Sequence, residues 1–455
     1  QYLSVTTGAS IAAGSSLVIW SSFPSPGKSL VPDDGIQVEL PLEASPGGCC
    51  SVRLTLMGKE TTVGARRKKY NGGQGIRMVP YQVIRMVVDT GSPYLVVADG
   101  VSGNNCVIAT GLIPAGDEIL YQNNLFDALL SSFSEDDDDD AINIAFEFEQ
   151  SEYGPTEEIY GSQAGQIAWK SASPKFRDPR LESASERVVL GVLDEALAAE
   201  SGGPLLGLVK RSNVVSTKIQ RRPTFLEQMM IASPDDPAEL SEVASFGLDY
   251  PNKSLTLSTQ SMISPADATN AFDLVDLRPS GDFVEHYACL VEEVVFDGVT
   301  YNSQTLASQE GTKRRGSGRR KKRDIVAVFD SGLTGCLLIK PFYDRLVEGK
   351  GLDPSTFSSV EVRIKPCSRE RGGKKKKGSN NRSGRRQGDS FDTPLCTISS
   401  SEDTNRLFYV NPISLDWFDD EESAPFVIVL GQTFLSQGCL TVDIDDRRAA
   451  FHISG

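Results

Sequence analysis

Histidine is almost missing from this sequence: His286 and His452 are the only two among 455 residues. A site built from several imidazoles, whether a zinc centre or a proton relay, is excluded by that scarcity. No metal is therefore expected. Long apolar runs are missing too. No stretch approaches the roughly 18 consecutive apolar residues of a membrane-spanning helix. Basic charge is in deficit, with 46 Lys and Arg against 61 Asp and Glu, a net charge of −15. What is present in quantity, 39% apolar residues and 41 glycines, is enough for a sizeable core and excludes a wholly disordered chain. Eight cysteines suit a secretory, vacuolar, lysosomal or extracellular setting, although their pairing is not readable from a count. The chain opens at Gln1 rather than Met, which leaves room for a signal peptide or longer pro-region upstream.

The charge is unevenly laid out. Three tracts are basic, 66–69, 313–323 and 369–386, and one, 135–140, is acidic. With these set aside the remainder is more acidic than the net figure suggests. The basic tracts lack interleaved aromatics, so they read as solvated surface insertions rather than nucleic-acid contacts. Arg320-Lys321-Lys322-Arg323 also resembles a proprotein-convertase site. Asn252-Lys253-Ser254 and Asn381-Arg382-Ser383 match the N-glycosylation pattern.

Residues 1–47 are rich in Ser, Gly and Pro and read as an N-terminal extension or propeptide remnant. Beyond Cys49, short β-type runs separated by turn residues dominate: 51–57, 81–88, 94–98, 142–148 and 166–169. Residues 245–258 read as strand, turn, strand. Helical patterns are brief, at 194–200, 224–231 and 341–348. The fold class is therefore all-β.

Two segments match each other. Val87-Val88-Asp89-Thr90-Gly91-Ser92 and Val328-Phe329-Asp330-Ser331-Gly332-Leu333 are both apolar strands ending in Asp, a hydroxyl residue and Gly. Each is followed at nearly equal distance by an apolar-apolar-Gly run. Val189-Leu190-Gly191 ends 102 residues after Asp89, and Val429-Leu430-Gly431 ends 101 residues after Asp330. The pattern is that of an internal duplication.

With these motifs the chain resembles the pepsin-like, bilobal aspartic protease family over residues 48–455. The segment 426–453 is especially similar. The resemblance implies a lobe at 48–262 carrying Asp89 and the flap, a lobe at 263–455 carrying Asp330, and a cleft between them. It implies an endopeptidase, made as a zymogen and using no cofactor, that activates water between Asp89 and Asp330. Two close carboxylates share a proton, so one takes a proton while the other gives one. Gly91 and Gly332 allow the tight turns, and the hydroxyls of Thr90 and Ser331 bond across to the opposite loop. Tyr160-Gly161 fits the flap over the substrate, with Tyr153-Gly154 as competitor. Cys367 and Cys396 correspond to a disulfide of the second lobe. The partner expected is a peptide or protein in extended form, bound by a monomer with no role for nucleic acid or membrane.

Two positions depart from the family. Leu333 stands where a hydroxyl usually bonds the second carboxylate, whereas Ser92 keeps that group in the first motif. Val96 replaces a Trp that partners the flap Tyr, so the flap is expected to be held differently. These departures keep a rival open, a catalytically impaired peptide-binding protein on the same fold.

Overall fold

A computed structural model describes residues 35–44, 49–57, 77–98, 106–113, 148–160, 163–194, 204–210, 222–264, 271–280, 284–310, 323–350, 356–365, 396–401, 410–413 and 424–453. These residues are mostly β-sheet. No helix among them is long and apolar enough to cross a membrane.

Two large sheets hold the matched motifs. In the first, of ten strands, the long strand Arg77–Asp89 lies antiparallel to Cys50–Met57 and parallel to Leu205–Gly207. In the second, of eight strands, Ile325–Phe329 lies antiparallel to Ala288–Phe296 and parallel to Phe426–Leu430. Ile325–Phe329 and Phe426–Leu430 are buried along their whole length. That explains their unbroken apolar sequences, since a strand covered on both faces has no polar side to alternate with.

A six-stranded sheet draws on the beginning, middle and end of the chain. Its order is Gln37–Pro41, Ser254–Ser258, Ser245–Asp249, Gly438–Asp443, Arg448–Ile453 and Ala271–Asp273. The hairpin 245–258 forms as its sequence suggests. Its turn is closed by the Asn252 N–H on Asp249 Oδ1 at 2.9 Å, with Lys253 in the left-handed region at φ 54°. Residues 35–44, grouped above with the N-terminal extension, are part of this core: Val38, Leu40 and Leu42 are buried. Residues 1–34 lie outside the described residues.

The structure corrects the duplication. In the second sheet Gly431 follows Leu430, which pairs in parallel with Phe329 beside Asp330. In the first sheet the segment in that position is Leu205-Leu206-Gly207, with Gly207 opposite Asp89. Val188–Leu193 pairs instead with Leu95–Ala98, and Gly191 faces Val96. Gly207 N–H donates to Tyr94 O at 3.0 Å, and Gly431 N–H donates to Gly335 O at 2.9 Å. Both acceptors lie five residues past their Asp, so the two halves match contact for contact here. A Cβ on either glycine would lie within 2.5 Å of backbone, so both positions require glycine for close approach.

Other expectations fared unevenly. The helix expected at 341–348 forms as Lys340–Lys350. That at 224–231 does not: only Leu226–Gln228 makes a 3₁₀ turn, and Met229–Ala232 is a strand. An α-helix at Ser303–Glu310 was not anticipated. Residues 142–147 and 195–200 lie outside the described residues, as do the acidic tract and most of the basic ones. Arg323 is the exception. Its guanidinium lies over the Phe426 ring at 4.2 Å, and its Nε donates to Ala424 O at 2.6 Å.

Candidate active site

Each matched strand runs through the core and stops at its Asp, where the apolar sequence ends and the chain turns. The two turns meet. Thr90 N–H donates to Ser331 Oγ and Ser331 N–H donates to Thr90 Oγ1, both at 2.9 Å. Each hydroxyl then donates into the opposite strand, Thr90 Oγ1 to Phe329 O at 2.9 Å and Ser331 Oγ to Val88 O at 2.7 Å. Four buried bonds thus join residues about 240 positions apart in the chain.

This clasp sets the carboxylates face to face. Gly91 N–H holds Asp89 Oδ1 at 2.8 Å, and Gly332 N–H holds Asp330 Oδ1 at 2.9 Å. A Cβ on Gly91 would sit 2.7 Å from Asp330 Cγ, and one on Gly332 would sit 2.7 Å from Asp89 Cγ. Each carboxylate therefore lies against the other loop's glycine, in space that only a missing side chain provides. Burial, with the nearby Asp330 charge second, holds the Asp89 carboxyl well above the usual carboxylate range. The Gly91 and Gly332 N–H groups oppose that rise without cancelling it.

Around the pair, Ser92 and Leu333 sit in different surroundings. Ser92 Oγ accepts the Tyr94 N–H at 3.4 Å. Leu333 is partly buried and packs on the main core. Gln432 supports the second loop by donating to Ser331 O at 2.8 Å. Cys49 packs near the first loop, and burial raises its thiol pKa.

Tyr160 ends a hairpin in which Thr156–Tyr160 pairs with the start of Gln163–Lys175, Tyr160 opposite Gln163. Gly161 lies outside the described residues. Tyr153 sits before this hairpin, its N–H on Ser151 Oγ at 3.3 Å. Val96 is fully buried and Gly191 packs against it. The hairpin base is tied down from elsewhere. Thr156 Oγ1 accepts Trp169 Nε1 at 2.9 Å and Arg222 Nη1 at 2.5 Å. The Arg222 guanidinium lies 4.4 Å from the Trp169 ring centroid and 5.3 Å from that of Tyr94. Trp169 and Tyr94 meet edge to face at 5.0 Å. Sequence reasoning missed Arg222 and Tyr94, because a cation and an aromatic on separate loops carry no spacing signal. It also missed His286, whose Nε2 lies 3.1 Å from Gly91 O.

Cys396 opens the strand Cys396–Ser401 opposite Ile364, and Cys367 lies outside the described residues. Cys49, Cys50, Cys336 and Cys439 are free thiols. No protein-family model matches the chain, and a search of curated proteins finds no match.

Proposed function

We propose that the chain is a two-lobed aspartic endopeptidase of the pepsin-like family. One lobe carries Asp89 and the hairpin, the other carries Asp330, and the six-stranded sheet joins them. The observation that carries this reading is the clasp between the Asp-hydroxyl-Gly turns, which sets two carboxylates against each other's glycines. Merely structural Asp turns have no need to be brought together from opposite halves of a chain, nor to bury charge against like charge.

The chemistry follows from the shared proton. With one proton between them, the ionised carboxylate takes a proton from a water held between the pair as its oxygen adds to the scissile carbonyl carbon. The protonated carboxyl gives its proton to the carbonyl oxygen. Return of a proton to the amide nitrogen lets the C–N bond break and releases an acid and an amine. The extended peptide lies under the hairpin, whose closure excludes water from the reacting centre. An acidic working pH fits, because it keeps the pair singly protonated.

Leu333 favours a second reading, a peptide-binding protein with impaired catalysis. Both are tested by incubating the purified chain with an unfolded protein between about pH 3 and 6, with and without a statine-type inhibitor. The endopeptidase reading expects cleavage that the inhibitor stops and Asp89→Asn abolishes. Inhibitor binding without cleavage would support the second reading. Cleavage retained in full by Asp89→Asn would sink the first.

A further inference from the structure

Taking the endopeptidase reading as its basis, we infer that His286 is a positioning residue for the first catalytic loop. Its Nε2 donates to the Gly91 carbonyl and so fixes the residue whose N–H holds Asp89. The contact is within hydrogen-bond range, 3.1 Å from Nε2 to Gly91 O. A carbonyl oxygen only accepts, so Nε2 carries the proton, in the neutral ring as in the charged one. The same residue, Gly91, donates its N–H to Asp89 Oδ1 at 2.8 Å and packs its Cα against the Asp330 carboxylate. Rotation of the loop at Gly91 would therefore move both carboxylates. Glycine is the residue least able to resist such rotation by itself.

The neighbours of His286 are arranged for the same end. The Tyr287 hydroxyl donates to Leu208 O at 2.5 Å, and Leu208 N–H in turn donates to Asp89 O at 2.8 Å. The Tyr287 carbonyl accepts the Phe329 N–H at 3.0 Å, one residue before Asp330. The segment thus touches the backbone on both sides of Asp89 and beside Asp330. Glu285 anchors it from behind through ion pairs with Arg278 at 2.9 Å and Arg447 at 3.1 Å, and Asp276 holds Arg278 at 2.7 Å. Lys210 lines the same small cavity beside His286. A histidine that only filled surface would need none of this bracing. The role assigned to the imidazole runs through Gly91.

The test compares the full-length enzyme with His286→Ala, His286→Gln and His286→Asn. Glutamine can place an amide N–H where Nε2 was, whereas asparagine reaches only as far as Nδ1. Alanine and asparagine are expected to lower kcat about tenfold, the equivalent of one lost hydrogen bond, with KM within about twofold. Glutamine is expected to restore most of the rate. Thermal unfolding of each variant identifies any that fails to fold. A folded glutamine variant as slow as alanine overturns the proposal, as does an alanine variant with the wild-type rate. The contact itself is read separately by ¹⁵N NMR of the imidazoles, and the chain has only two to assign. His286 is expected to carry its proton on Nε2, and a ring protonated only on Nδ1 overturns the proposal. A wild type that cleaves nothing, yet shows the Nε2 proton, removes the endopeptidase reading and leaves the contact standing.

Discussion

Replacing Thr90 by valine keeps the outline of the side chain and deletes two hydrogen bonds between the catalytic turns. Thr90 Oγ1 donates to Phe329 O and accepts from Ser331 N–H, both at 2.9 Å, and Thr90 is completely buried. After the change the Ser331 N–H faces a methyl group in a place water does not reach. Each buried group that loses its partner costs about 1–3 kcal/mol, so the variant is expected to lose about 2–6 kcal/mol of stability. Ser331→Ala removes the mirror pair, Ser331 Oγ to Val88 O and Thr90 N–H to Ser331 Oγ, and is expected to cost a similar amount. The two changes strip the same junction. Once one pair is gone the turns separate and the other pair is already weakened. The double variant should therefore lose less than the sum, with a coupling of at least about 0.5 kcal/mol. Urea unfolding followed by tryptophan emission, with Trp169 buried near the hairpin base, measures all three. A Thr90→Val cost below about 0.5 kcal/mol, or single costs that add within about 0.3 kcal/mol, would refute the clasp as an energetic unit.

Other expectations follow from the same geometry. Asp89→Asn should be more stable than the parent at pH 7. Burial and Asp330 raise the Asp89 carboxyl above its unfolded value of 3.8, so its favourable contribution is complete below that value and is lost as pH rises through the folded value. Melting temperatures of both proteins at pH 7 and pH 4 should show the gap narrowing in acid; a less stable Asn variant at pH 7 contradicts this. Gly332→Ala would put a Cβ 2.7 Å from Asp89 Cγ, so cleavage should fall about a hundredfold or more while inhibitor titration shows a misplaced pair. Arg222→Leu should loosen the hairpin, because it removes the bond to Thr156 and cation–π contacts worth about 2 kcal/mol when desolvated. A raised KM and red-shifted Trp169 emission are expected. Arg222→Lys should not restore them, since an ammonium cannot stack on both rings.

Much of this was legible in sequence because it is local. A buried strand announces itself by composition, as Ile325–Phe329 does, and a strand ending in Asp, hydroxyl and Gly announces a tight turn. The partner of the first Asp strand was not legible. Val189-Leu190-Gly191 and Leu205-Leu206-Gly207 are both apolar-apolar-Gly, and only the crossover decides which lies beside Asp89. Equal spacing favoured the wrong one. The segment 224–231 mixes helical and strand signals, and pairing with Leu181–Ser183 settled only its end, from Met229, as strand. Ile36, Val38, Leu40 and Leu42 do alternate with other residues, but within a Ser, Gly and Pro-rich stretch, and Gln37–Pro41 becomes a strand by pairing with Ser254–Ser258. His286 and Arg222 act across long sequence separations, where no periodicity can point to them.

The six-stranded sheet has a consequence for a cut chain. Cleavage within the basic tract before Asp324 would leave two fragments, and both would contribute strands to that sheet. The first fragment holds Gln37–Pro41, Ser245–Asp249, Ser254–Ser258 and Ala271–Asp273; the second holds Gly438–Asp443 and Arg448–Ile453, one of them wedged beside Ser245–Asp249. Ala288–Phe296 of the first fragment likewise flanks Ile325–Phe329 of the second. Sequence continuity at that point is thus redundant with pairing already made elsewhere. The covalent thread could be broken there and the molecule would stay interleaved, its two carboxylates supplied by different chains.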